Sequence, residues 1–370
     1  MLRSVLSADV ARGQTVIVFA RWLLVLSALV VAAWEPEALP QLRLQIGVIL
    51  VAAIGNFAMH AQLLRRRPTT ELVAYGTSLG DLLLITLLIA SQGGFRSNLF
   101  VFYFPAILAI SVAFPTRPAV ALSGIGVGLA AAASWGAPSG ADVLLRVIAL
   151  SAVALIGNAY WRLHRSRIEA TTSQRREDAQ DLFWGQVATL WARWAIIGGG
   201  AVLALFGASS TGELTIRILP VVVLVVVNFY LHGRYLTERP ANALLTILAT
   251  GLDLALVALI FLAAPRPNGL ANASFALLYP LVFGVGLVFR PRLSWVYTGL
   301  ALLLYSALVV LSGVGSAGDA KVLVVRLVTL AAMGGLGSVY WRLARRATRS
   351  ESVDDQTSAT PLAWQPVRAS

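Results

Sequence analysis

Runs of about 20 apolar residues, set apart by short polar gaps, follow one another from near Gln14 to near Val339 and leave this chain few ways to fold. Burying that many runs in water would need a large polar surface, yet 58% of the residues are hydrophobic, only 12% are charged and the mean hydropathy is +0.78. Lipid is the solvent that fits. In lipid every backbone N–H and C=O must be paired within the protein, so the runs predict spanning α-helices and not strands. The reading is an all-α polytopic membrane protein of about 12 transmembrane helices, with the lipid bilayer as its first partner. Six spans fall at roughly 15–34, 42–63, 71–91, 98–115, 118–136 and 142–162, and six more at roughly 187–208, 214–233, 243–264, 272–289, 293–312 and 320–341.

The second set repeats the polar punctuation of the first. Asp9, Gly13, Gln14, Arg21, Trp22, Asn56, Phe57, His60, Arg67, Pro68 and Asp81 return 172 positions later, as Asp181, Gly185, Gln186, Arg193, Trp194, Asn228, Phe229, His232, Arg239, Pro240 and Asp253. The offset grows to 175 at Phe114 and Phe289, and to 180 where Tyr160-Trp161-Arg162-Leu163 matches Tyr340-Trp341-Arg342-Leu343. Loop insertions account for that drift. A duplicated gene is the reading, and residues kept in both copies stand out without any alignment. The expected organisation is a first six-helix membrane repeat over 1–163, a cytoplasmic helical linker over 164–180, a second repeat over 181–343 and a disordered cytoplasmic tail over 344–370.

The arginines set the orientation. Arg3, Arg12, Arg65 to Arg67, Arg117, Arg162, Arg165 and Arg167 fall on one side if the spans alternate, while Glu35, Glu37 and Asp142 fall on the other. The excess of positive charge inside places both termini and the linker in the cytoplasm of a bacterial inner membrane. With an even number of spans per copy, the two repeats are parallel. The net charge of +12 is then topological and calls for no nucleic acid. The absence of cysteine removes disulfides, thiolate metal sites and cysteine nucleophiles. No metal-ligand cluster, phosphate-binding loop or hydrolytic triad occurs, so no catalytic activity is expected.

A few polar residues lie inside the spans. Arg21, Asn56 and Asp81 come out at roughly 14 Å below the cytoplasmic edge at the rise of an α-helix, although their helices run in alternating directions. Arg193, Asn228 and Asp253 repeat the trio. An ionised residue there costs about 2.5 to 3.5 kcal/mol even on insertion scales, so it is expected to face the bundle and find a partner. Arg21 is expected to pair with Asp81 and Arg193 with Asp253, each asparagine completing a network. That network reads either as a ligand, proton or conformational switch or as an ion pair that fixes helix packing.

Two further groups are candidates. In Asn-Phe-x-x-His, Asn56 and His60 share a helical face, as do Asn228 and His232. His60 and His232 read either as imidazole ligands of a metal, haem or chlorophyll or as histidines keeping a polar edge among headgroups. Near the outer face, Gly93, Gly94, Ser97 and Asn98 join spans three and four, Gly269 and Asn272 hold the equivalent place, and Arg146 and Arg326 enter span six. Flexible glycines beside arginine and asparagine donors suit a small pocket for a carbonyl-bearing, lipid-soluble molecule, or an ordinary turn beside a snorkelling arginine. Pro105 and Pro280 are expected to kink span four.

An Asp in span three, about a dozen residues before a Gly-Gly turn into span four, resembles the membrane input domain of bacterial sensor histidine kinases, including the redox-responsive, quinone-sensing group. The residues that carry the resemblance are Asp81, Gly93, Gly94, Ser97 and Asn98, with Asp253, Gly269 and Asn272 in the second copy. It implies signal transduction and a quinone as the candidate cofactor. Where the family's pattern runs Gly-Gly-x-x-Asn-Pro-Phe, this chain has Ser97-Asn98-Leu99 and Asn272-Ala273-Ser274. No phosphoacceptor helix or Gly-rich ATP-binding segment follows span six, so signalling would need a cytoplasmic or membrane partner. The expectation is a non-catalytic membrane sensor or regulatory module. A secondary transporter of two parallel six-helix halves and a structural or pigment-binding subunit of a larger membrane complex are the alternatives.

Overall fold

The computed structural model describes residues 2–34, 39–65, 70–94, 97–134, 140–168, 174–208, 210–236, 243–262, 270, 272–312 and 317–358. Among them no strand forms, and the chain is an all-α polytopic membrane protein. The first half runs α1 (Leu2–Trp34), α2 (Leu39–Leu64), α3 (Glu71–Ser91), α4 (Tyr103–Ala113), α5 (Thr116–Ala133) and α6 (Gly140–Ile168). The second runs α7 (Gln174–Gly207), α8 (Thr211–Leu236), α9 (Ala243–Leu262), α10 (Leu278–Val288), α11 (Pro291–Leu311) and α12 (Ala317–Ser358). A 3-10 segment leads into each fourth helix, Asn98–Phe102 into α4 and Ala273–Leu277 into α10.

Ten of these helices are long and apolar enough to cross a membrane, and the two fourth helices are shorter. Their surroundings explain why. Every residue from Tyr103 to Ala113 is buried, and so is the stretch from Ala273 to Leu287. A helix wrapped in protein need not match the thickness of the hydrocarbon. Counting about 2.0 Å per 3-10 residue and 1.5 Å per α residue, each 3-10 and α pair still spans roughly 27 Å. Pro105 and Pro280 lie in the first turns of α4 and α10, where a missing N–H leaves no hydrogen bond broken. In α4 and α10 neither proline therefore stands in mid-helix.

α4 packs on α1, α5 and α6, and α10 packs on α7, α11 and α12. The halves join where α6 meets α7, α1 meets α12, α6 meets α10 and α12 meets α4. α1, α4, α6, α7, α10 and α12 thus form the centre, with α2, α3 and α5 flanking one side and α8, α9 and α11 the other. At the middle, Phe104 of α4 stacks on Tyr279 of α10, with centroids 4.1 Å apart and planes within 5° of parallel. These two residues are 175 positions apart, so corresponding positions of the two halves meet each other there. The flanking helices turn large apolar side chains outward, among them Val51, Ile54 and Phe57 on α2 and Ile216, Leu219 and Val226 on α8. That is where lipid belongs.

One expectation about the connections changes. The chain from 344 onward was expected to be disordered, but α12 continues to Ser358, with residues 359–370 outside the described ones. No glycine or proline lies between Gly337 and Pro361, and a helix already held in a bundle propagates without a new nucleus. The linker is helical on both sides of 169–173, which lie outside the described residues, as the end of α6 and the start of α7.

Candidate functional site

Both intramembrane arginines meet the expected aspartates. Arg21 Nε donates to Asp81 Oδ2 at 2.5 Å, linking α1 to α3, and Arg193 Nε donates to Asp253 Oδ1 at 2.9 Å and Oδ2 at 2.8 Å, linking α7 to α9. The pairs differ in their surroundings. The Arg193 and Asp253 side chains are 3% and 0% exposed, whereas those of Arg21 and Asp81 are 7% and 20% exposed. Asp253 has both oxygens engaged, while Asp81 Oδ1 accepts no hydrogen bond among the described residues. Each guanidinium also keeps one buried Nη2 without a partner.

The asparagines do not complete these networks. Asn56 Nδ2 donates to the backbone oxygen of Val18 at 3.2 Å, because α2 runs antiparallel to α1 and brings Asn56 one turn toward the N-terminal end of α1 from Arg21. The place beside the guanidinium goes to Met59, whose sulfur accepts from Arg21 Nη1. Leu231 stands 172 positions on from Met59, and Asn228, fully buried, makes no side-chain hydrogen bond among the described residues. Met59 escaped the sequence reading because its thioether looks like any other apolar filler.

The first pair borders a small, partly open crevice of about 40 Å³ between α1, α2 and α3. Val25 and Ala28 of α1, Ile49 and Ala52 of α2, Leu88 of α3 and Phe102 form its walls. The same shell in the second half carries other side chains and closer helix approaches. Ala28 and Ala52 become Gly200 and Leu224, and Phe102 becomes Leu277. Gly200 lets α7 close on its neighbours, since a Cβ there would stand 3.0 Å from Val221 Cγ2 and 3.1 Å from Ile260 Cδ1. At Gly199 the close neighbours are Leu277 and Leu145, whose Cδ2 and Cδ1 would each lie 2.7 Å from a Cβ. Leu224 is fully buried, and α7 packs directly on α9, whereas contact between α1 and α3 is sparser.

His60 Nδ1 accepts from Trp22 Nε1 at 3.2 Å, a bond from α1 to α2 that fixes the ring. In the second half Trp194 turns its edge to Phe229 instead, with centroids 5.4 Å apart. Among the described residues no three His, Cys, Asp or Glu side chains gather as a metal site.

The outer layer is spent largely on its own backbone. Gly93 and Gly94 take φ of +88° and +65°, and Gly94 sits close to the end of α5, where a Cβ would meet the Ala133 oxygen at 2.9 Å. Ser97 Oγ accepts from Leu99 N at 3.2 Å and donates to Gln92 Oε1 at 3.0 Å. Asn272, in the matching place, accepts from Ser274 N at 2.9 Å and donates to the Phe261 oxygen at 3.1 Å. Both residues cap the 3-10 segments that open span four. Gly269 and the Asn98 side chain lie outside the described part of the structure.

Arg146 and Arg326 are held by rings. The Arg146 guanidinium lies 4.4 Å from the Phe100 centroid and that of Arg326 3.6 Å from Phe275, near enough to each other for their like charges to interact. Arg326 Nη1 also donates to Tyr305 Oη at 2.9 Å, and Tyr279 Oη donates to the Arg326 backbone oxygen at 3.3 Å. Each of these contacts braces one half from within, and the Phe104–Tyr279 stack crosses between the halves beside them. The sequence reading found the arginines but not Phe100, Phe104, Phe275 and Tyr279, since aromatic residues in an apolar span carry no signal of which face they occupy.

Similarity to known proteins adds nothing to this geometry: no family model matches the chain, and no curated protein or solved structure is similar to it.

Proposed function

We propose that this chain is a non-catalytic sensor or regulatory module of a bacterial inner membrane, formed by duplication of a six-helix unit that resembles the input domain of sensor histidine kinases. It binds a hydrophobic ligand and signals through a partner. The observation that carries this reading is a buried ion pair bordering a small apolar crevice, placed on a helix that reaches the centre of the bundle. α1 packs on α2 beside the crevice and on α4 and α12 at the centre. A ligand that shifts α1 therefore acts on α12, which continues about 28 Å past the end of its apolar stretch at the rise of an α-helix. With both termini cytoplasmic, that arm is the output surface.

Mass spectrometry of the native protein in mild detergent tests the reading. A stoichiometric partner is expected, and it is lost when the chain is cut after Leu343. Purification without any partner, together with substrate flux in proteoliposomes, would replace the sensor with a transporter.

A further inference from the structure

The duplication gives the cytoplasmic ends of the central helices in two versions. α6 packs on α7, and α12 packs on α1, the counterpart of α7 in the first copy. α6 leaves its apolar stretch at Ala159 and carries Arg162, Arg165 and Arg167, while the first turns of α7 bring Glu177, Asp178 and Asp181 beside Arg175 and Arg176. α12 leaves its apolar stretch at Val339 and carries Arg342, Arg345, Arg346 and Arg349. Between Leu2 and Gln14, α1 brings Asp9 as its single acid, with Arg3 and Arg12 of the other sign. The chain supplies acids for the first exit and leaves the second strongly positive.

The arginines of α12 are also ordered. Positions 342, 345, 346 and 349 follow the i, i+3, i+4, i+7 spacing that places residues on one face of an α-helix. No Asp or Glu stands three or four residues from any of them, so the helix offers them no ion pair of its own. Its acids, Glu351, Asp354 and Asp355, fall about half a turn round, on the opposite face. The rule that keeps positive charge inside asks for a number of arginines and not for a face. The stripe begins at headgroup level and, at the rise of an α-helix, ends roughly 15 Å beyond the apolar stretch, above a headgroup layer of about 5–8 Å. Its outer half thus stands where protein, and not lipid, reaches it. A second copy in the same membrane would bring an identical arm up in parallel and set arginine against arginine. We infer that Arg342, Arg345, Arg346 and Arg349 form the docking face for an acidic helix of a cytoplasmic partner, one with carboxylates at the same spacing. The inference rests on the reading of α12 as the output arm and gives that partner's chemistry.

A synthetic helix tests it on the full chain in nanodiscs of neutral lipid. The probe is a fluorescent peptide with glutamates at i, i+3, i+4 and i+7 on an alanine and glutamine background, and its control has the same composition with the glutamates spread round the helix. Fluorescence anisotropy is expected to show the striped peptide binding about tenfold tighter than the control, the combined worth of four exposed ion pairs. The difference should shrink as salt is raised. Changing Arg342, Arg345, Arg346 and Arg349 together to Gln is expected to remove it, and changing Arg162, Arg165 and Arg167 to Gln is expected to leave it. Equal binding of the two peptides to the unaltered chain, or an equal loss from the α6 variant, would overturn the inference, and a folding defect in either variant leaves the peptide comparison standing. A fluorophore on Thr348→Cys, in a chain with no other cysteine, adds a second readout. Its movement into the headgroups when the nanodiscs carry anionic lipid would give the stripe to the membrane and overturn the inference as well. If a partner co-purifies and is lost on cutting after Leu343 while the two peptides bind alike, the inference falls and the sensor reading stands.

Discussion

The Arg21–Asp81 and Arg193–Asp253 sites begin from the same residues at the same depth, yet one lies beside open space and the other is sealed. The charged residues do not differ; their neighbours do. Ser27 and Ala28 stand against Gly199 and Gly200, Ala52 against Leu224, and Phe102 against Leu277. Two glycines let α7 close on its neighbours, and one leucine fills what an alanine leaves empty. A duplicated site can thus keep its polar centre while a few methyl groups decide whether it has an entrance.

The sharpest way to break this comparison is to remove one charge from each pair. Asp253→Asn strands a buried Arg193 without its ion-pair partner and is expected to cost about 3–5 kcal/mol. Asp81→Asn is expected to cost less, about 1–3 kcal/mol, because its carboxylate is already partly exposed. The double variant Arg193→Leu with Asp253→Leu should recover most of the first loss. Thermal unfolding in mild detergent reads all three, and equal losses in the two halves would contradict the difference in sealing.

Exchanging the filling residues gives the next largest effect. Leu224→Ala opens a void in a packed shell and is expected to cost about 2–5 kcal/mol, whereas Ala52→Leu enters space that already exists and should stay within about 1 kcal/mol. The same unfolding series measures both. A large loss for Ala52→Leu would mean the crevice collapses in the membrane.

The smallest contrast is at the asparagines. Asn56→Ala removes a hydrogen bond to Val18 and is expected to cost about 1 kcal/mol, while Asn228→Leu removes an unpaired buried amide and should be neutral or stabilising. Matching losses at the two positions would show that Asn228 holds a partner.

These contrasts mark how far the sequence could be read. The ion pairs were legible because charges at one depth in lipid must find each other, and the offset of 172 named both partners twice. The roles of Asn56 and Asn228 were not, since being one helical turn off decides what an amide reaches. Span four read as an ordinary crossing because composition cannot tell a helix facing lipid from one wrapped in protein on all sides. The Ala52 and Leu224 exchange was visible along the chain, but only the packing of α8 against α7 and α9 shows that it points into the site. The helix beyond Arg349 escaped because its polar composition looks like a tail, and continuity with a long spanning helix outweighed that.

Xenon binds dry apolar cavities, so crystals grown from a lipid phase and pressurised with xenon test the asymmetry most directly. The predicted anomalous map has a peak among Val25, Ala28, Ile49, Ala52 and Phe102 and none among Ile197, Gly200, Val221, Leu224 and Leu277. Peaks in both halves, in neither, or in the second alone would contradict the account of one open and one sealed site.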